Sequence, residues 1–122
     1  MKFTLAEIRW MQRGLTAITQ AQLPIRVSYR LSKLLNFCNQ EMANVEKVRE
    51  EMIKTMGEEN PDKPGEIVIG PENADKFREE FAQLLQEEVD IDFTPVRLAD
   101  LGDDLKIAPV ELASLSRIIE EE

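Results

Sequence analysis

Asp90-Ile91-Asp92-Phe93-Thr94 is the stretch of this chain whose residue types and spacing come nearest to chemistry. Carboxylate side chains can act as nucleophiles or as oxygen ligands to a hard cation. A second acidic group, Asp100, Asp103 and Asp104 around Gly102, offers the oxygen ligands that hard divalent cations take. The chain has no histidine and one cysteine. Without histidine the commonest general base is missing, along with the serine–histidine and cysteine–histidine nucleophile systems and nearly every zinc site. With a single cysteine, Cys38, no internal disulfide can form.

The Asp-x-Asp-x-Thr pattern resembles that of haloacid-dehalogenase-like phosphotransferases, in which the first aspartate is a nucleophile beside a magnesium ion and the motif sits at the end of a parallel strand in a large α/β sheet. This chain has too few strands for that, so alternating polar positions on a half-buried strand account for Asp90 and Asp92. As a calcium loop the stretch also fails, with Pro95 where a glycine is required and Leu101 where a bidentate glutamate belongs. Asp100, Asp103 and Asp104 read as a solvent-exposed turn, and Cys38 as a small buried hydrophobe. The expectation is therefore no catalytic residue, no cofactor and no metal site. Arg9 and Arg13 lie one turn apart, as do Arg26 and Arg30 with Lys33 following, which predicts basic patches on two helices. Such patches can hold phosphates. The chain's acidity and the lack of interleaved aromatics favour pairing with its own acidic half over nucleic acid.

These residues are positioned by a long helix. Pro24 suits a first helical position, and no Pro or Gly interrupts the pattern until Gly57. Val27, Leu31, Leu34, Cys38, Met42, Val45, Val48, Met52 and Met56 recur at three or four residues, forming one apolar seam. At about 1.5 Å per residue the helix is roughly 50 Å long, more than the roughly 26–30 Å breadth of a compact domain this size. A shorter helix, about Leu5 to Gln22, precedes it with a Thr4/Glu7 capping box and a Leu5, Ile8, Met11, Leu15, Ile18 face. Gly14 weakens that helix by about 1 kcal/mol. The short join makes the pair an antiparallel hairpin, too short on one side to cover Val45, Val48, Met52, Ile53 and Met56. That row is the expected surface for self-association.

Residues 58–65, rich in Pro, Gly and charge, read as a loop. Beyond it, Glu66–Gly70 and Val89–Thr94 read as two strands able to pair with each other. A third helix lies between them, from about Ala74 to Glu88, capped by Asn73 and facing inward through Phe77, Phe81, Leu84 and Leu85. A last helix opens at Pro109 with Leu112, Leu115 and Ile119 on its inner face. The expected fold is α+β, mainly α, as a single domain over 1–122. It comprises a helical hairpin (1–57), a loop (58–65) and an acidic α+β portion (66–122). Within that portion, a small two-stranded β element accompanies the third helix, before a short C-terminal helix.

Hydrophobic residues at 43% and charged residues at 32% describe a folded globular chain rather than a disordered one. The net charge of −9 is uneven: residues 1–56 carry +4 and residues 57–122 carry −13. No apolar run is long enough for a membrane span. Glu7, Arg9 and Arg13 interrupt the N-terminal stretch where a signal peptide would be apolar.

The segments PIRVSYRLSKLL, VREEMIKTMGEE, FREEFAQLLQEEVDIDF and IAPVELASL, in this order, resemble small tailed-bacteriophage and prophage proteins of unknown function. The resemblance implies a phage-encoded protein of the host cytoplasm or of the virion and carries no site residues. The expected role is a non-catalytic protein–protein interaction module, homo-oligomeric, in virion assembly or as an accessory subunit. The alternative is an acidic decoy that occupies a host nucleic-acid-binding protein.

Overall fold

The computed structural model describes residues 1–121. Strand β1 (Lys2–Thr4) runs straight into helix α1 (Leu5–Ile18). The expected capping box is present: the Glu7 amide donates to Thr4 Oγ1, and Glu7 Oε1 accepts from the Thr4 amide. Helix α2 (Ile25–Met56) follows after a six-residue join, 19–24. Gln12 Nε2 donates to Asn39 Oδ1 at 2.5 Å, fixing the antiparallel register of the hairpin. Stepping equally from these two residues to Leu5 on α1 reaches Glu46 on α2, so α1 covers α2 as far as Val45. Leu5, Ile8, Met11, Leu15 and Ile18 are buried against Val27, Leu31, Leu34, Cys38 and Val45.

The distal half of α2 is met by helix α3 (Pro71–Leu85). Asn73 Nδ2 donates to the Met56 carbonyl at 2.9 Å, and the Leu5 amide donates to the Glu87 carbonyl at 2.9 Å. Thus α3 starts at the end of α2 and finishes at the start of α1, continuing the cover where α1 stops. Phe81, Leu84 and Leu85 pack against the core, and Phe77 stacks on Phe81 at 6.1 Å. Asn73 is not the cap of this helix. Gly70 holds that position and Pro71 opens the helix, leaving the Asn73 amide free to bind α2.

The strands do not pair as expected. Strand β3 (Ile67–Val68) pairs antiparallel with β2 (Glu58–Glu59), inside the stretch expected to be irregular, and Gly65 at φ +91° makes the turn. Strand β4 (Glu88–Asp90) pairs antiparallel with β1, in the register Lys2–Asp90, Phe3–Val89, Thr4–Glu88. Both partners are stretches too short to show a period-two pattern. Strand β5 (Val96–Arg97) pairs in parallel with β6 (Ile119–Glu120).

The last helix is also shorter than expected. Helix α4 (Pro109–Ala113) ends where Ser114 Oγ donates back to the Glu111 carbonyl at 2.6 Å. The chain then turns, so Leu115 and Ile118 are buried while Leu112 stays 38% exposed. Gly14 explains the close packing here. A Cβ on it would lie 2.2 Å from Ser114 Oγ and 2.5 Å from the Glu111 carbonyl oxygen. The glycine lets the C-terminal segment rest directly on the α1 backbone. No helix among the described residues is long and apolar enough to cross a membrane.

Candidate functional site: a cleft between α2 and the Asp90–Thr94 segment

Two groups of residues that the sequence presents separately line one cleft of about 680 Å³. One wall is α2, with Arg30, Lys33, Leu34 and Phe37; the other is Asp90–Thr94. On α2 these residues fall within two turns, with Leu34 in the apolar seam and the other three on its flank. Leu34 and Ile91 are buried and form the floor, while Phe37 and Phe93 are half-buried walls. Asp92 and Lys33 are exposed at the rim.

Arg30 ties the walls together. Its Nη2 donates to the Thr94 carbonyl, and its guanidinium lies 5.1 Å from the centre of the Phe93 ring. Lys33 Nζ sits 5.6 Å from the centre of the Tyr29 ring. Strand β4 has one used and one open edge. Glu87 and Ile91 direct backbone groups to β1, through Leu5 N to Glu87 O and Ile91 N to Met1 O. In an antiparallel pair the alternate residues, here Glu88, Asp90 and Asp92, point theirs the other way. Thr94 has the same parity and gives its carbonyl to Arg30, so the open edge faces the cleft. Neither the amide nor the carbonyl of Asp92 has a backbone partner among the described residues.

The strand bearing Asp90 belongs to a two-stranded antiparallel ladder, not to a parallel sheet that presents an aspartyl nucleophile at its end. Asp100 makes a two-pronged contact with Arg97, Oδ1 and Oδ2 each accepting at 3.2 Å. Asp103 and Asp104 are exposed. Among the described residues no three His, Cys, Asp or Glu side chains converge as metal ligands.

The five basic residues do not form one patch. Arg9 and Arg13 line a shallow groove with Glu111, whereas Arg26 and Arg30 share a groove with Ile25 and Tyr29, and Arg30 with Lys33 also faces the cleft. Nor do they pair with the acidic half. Among the described residues none of the five has a carboxylate within 4.0 Å. The acids of α3, including Glu72, Asp75 and Glu79, point to solvent, where an ion pair gains little.

The row expected for self-association is partly covered. Val45 is buried, because α1 reaches it, and leaves the row. Met52, Ile53 and Met56 are half-buried, Met56 giving its carbonyl to Asn73 of α3, and Val48 remains 43% exposed. Sequence reasoning missed Ile25 and Tyr29, which are 84% and 65% exposed one turn apart at the start of α2. Their signal was available: both lie off the seam yet are large and apolar. Phe37, adjacent to seam residue Cys38, is a similar case. Burial pushes the Cys38 thiol up to about 12, with Glu41 adding to the effect. That suits an inert core residue.

No protein-family model, curated protein or solved structure gives a significant match to this chain.

Proposed function

We propose that this chain is a non-catalytic protein-interaction module built on α2, associating with itself and with other proteins. The observation that carries this is the solvent exposure of large apolar side chains along one helix: Ile25 and Tyr29 at its start and Val48 toward its end. Burying such a side chain is worth about 1.5–3 kcal/mol, so three on one rigid element favour a partner. Met52 and Met56 beside Val48 add an adaptable margin. The resemblance to small phage proteins supports a setting in particle assembly or as an accessory subunit, in the host cytoplasm or the virion.

Native mass spectrometry across the micromolar range tests this on wild type, Ile25→Glu/Tyr29→Glu and Val48→Glu. Oligomers are expected in the wild type, reduced in at least one variant. A wild type that stays monomeric at every concentration would remove self-association from the proposal.

The acidic-decoy alternative rests on Glu72, Asp75 and Glu79, exposed along one stripe of α3. That row is not continuous negative charge. Arg78 pairs with Asp75 at 3.1 Å and Lys76 lies on the same helix, so the geometry favours the interaction module.

A further inference from the structure

We propose that the cleft between α2 and Asp90–Thr94 binds an extended peptide segment, which adds as a strand to the open edge. The peptide seats an apolar side chain between Phe37 and Phe93 and an acidic one against Arg30 and Lys33. The proposal deepens the reading of the chain as a protein-interaction module and identifies what one of its surfaces takes.

Three independent features converge on that occupant. The first is backbone. Asp90 and Asp92 direct their amides and carbonyls away from β1, and those of Asp92 have no backbone partner among the described residues. Such an edge is a template for another strand. The edge is framed rather than bare, because Arg30 closes it at Thr94 and Pro95, which has no amide hydrogen, follows. An added segment therefore has a defined end and about five residues of edge, roughly 16 Å at strand spacing.

The second feature is the side-chain period. Ile91 is buried, Asp92 exposed, Phe93 half-buried and Thr94 exposed, so the strand's alternation continues past the end of β4. A peptide in register places every second side chain over the floor of Leu34 and Ile91, between Phe37 and Phe93. A volume of about 680 Å³ accommodates such side chains together with the peptide backbone.

The third is charge. Arg30 and Lys33 stand on the helix wall, and Asp90 and Asp92 on the strand wall. Neither cation has a carboxylate within 4.0 Å among the described residues. Arg30 uses one guanidinium nitrogen on Thr94 and keeps the rest for a carboxylate. A simple anion would face Asp92 across the cleft, and beside it Asp90, whose Oδ1 accepts from the N-terminal ammonium at 3.2 Å. A peptide resolves this by carrying an acidic residue on the α2 side and a basic or amide residue on the strand side.

The test is selection from a random heptapeptide library against the full-length chain, followed by fluorescence anisotropy with synthetic copies of the enriched peptides. Expected are alternating sequences with an acidic residue next to an apolar one. Binding should weaken about tenfold or more on Lys33→Glu and on Phe37→Ala. Since Phe37→Ala can disturb folding, a second arm leaves the protein untouched: the same peptides N-methylated at alternate amides. Loss of binding for one methylation parity and retention for the other supports strand addition. No enrichment, helical peptides, indifference to methylation parity, or binding abolished only by Ile25→Glu/Tyr29→Glu would overturn it. In that last outcome the interaction module survives while the cleft proposal fails.

Discussion

Arg117 Nη1 donates to Glu7 Oε2 at 2.6 Å while Glu7 Oε1 accepts from the Thr4 amide at 3.0 Å, so one carboxylate both caps α1 and anchors the C-terminal segment. The amide of Thr4 chiefly, and Arg117 with it, outweigh the effect of burial and hold the Glu7 carboxyl below its ordinary 4.5. A depressed acid contributes stability that is present above the unfolded pKa and lost as pH falls through the folded one. Denaturant titrations below neutrality should therefore show wild-type stability dropping below about pH 4.5 more steeply than that of Glu7→Gln. At pH 7, Glu7→Ala is expected to cost about 1 kcal/mol through the lost cap.

Gly14→Ala should destabilise, against its helix propensity. Alanine gains about 1 kcal/mol in an exposed helix, but the new methyl meets Ser114 Oγ and the Glu111 carbonyl at 2.2 and 2.5 Å. Overpacking of this kind costs about 1–3 kcal/mol. Adding Ser114→Ala should rescue only part of the loss, because the carbonyl remains. Thermal unfolding of the single and double variants measures both effects.

The division of the seam between α1 and α3 separates two neighbouring valines. Val45→Ala should cost on the order of 1–3 kcal/mol, as buried truncations do. Val48→Ala, on the exposed side, should stay within about 0.5 kcal/mol. Equal effects in urea titrations would mean that the cover of α2 is placed differently.

Cys38 should be silent toward a thiol reagent in the native chain and react fully once the chain is unfolded in urea. Burial keeps the thiolate form from appearing at neutral pH, with the group pushed up to about 12. Rapid labelling without denaturant would contradict this.

Duplex DNA should not be retained at physiological salt. Arg9 and Arg13 lie in a groove of their own with Glu111, apart from Arg26, Arg30 and Lys33, and the cleft that Arg30 and Lys33 face also holds Asp90 and Asp92. A continuous phosphate track is thereby broken up. Anisotropy with labelled DNA checks it; salt-sensitive binding abolished by Arg26→Ala/Arg30→Ala would reverse the ranking of partners.

Much of the helical scaffold was legible in the sequence. The Thr4/Glu7 box, the Leu5–Ile18 face and the Val27–Val45 seam are periodic signals that local geometry enforces. Strand pairing was not legible. Lys2–Thr4 and Glu58–Glu59 are too short to show alternation, and what makes them strands is a partner found only in three dimensions. The cleft shows the same limit. Arg30 and Lys33 stood out as charge, and Asp90–Thr94 as a motif, but only folding brings them to opposite walls of one space. Ser114 and Ser116 could have flagged the early end of the last helix, since both favour turns over helix interiors.

The pairing of β1 has a consequence for the order in which the chain acquires structure. Helices α1 and α2 meet through local contacts and can dock as soon as both have left the ribosome. Strand β1 has to wait for Glu88–Asp90 to be synthesised, and Arg117 closes over it from 115 residues away by donating to the Lys2 carbonyl. During that interval Phe3, destined to be buried, remains uncovered on a preformed hairpin. A hairpin that docks before Glu88–Asp90 is made would carry that ring exposed until β4 pairs with β1.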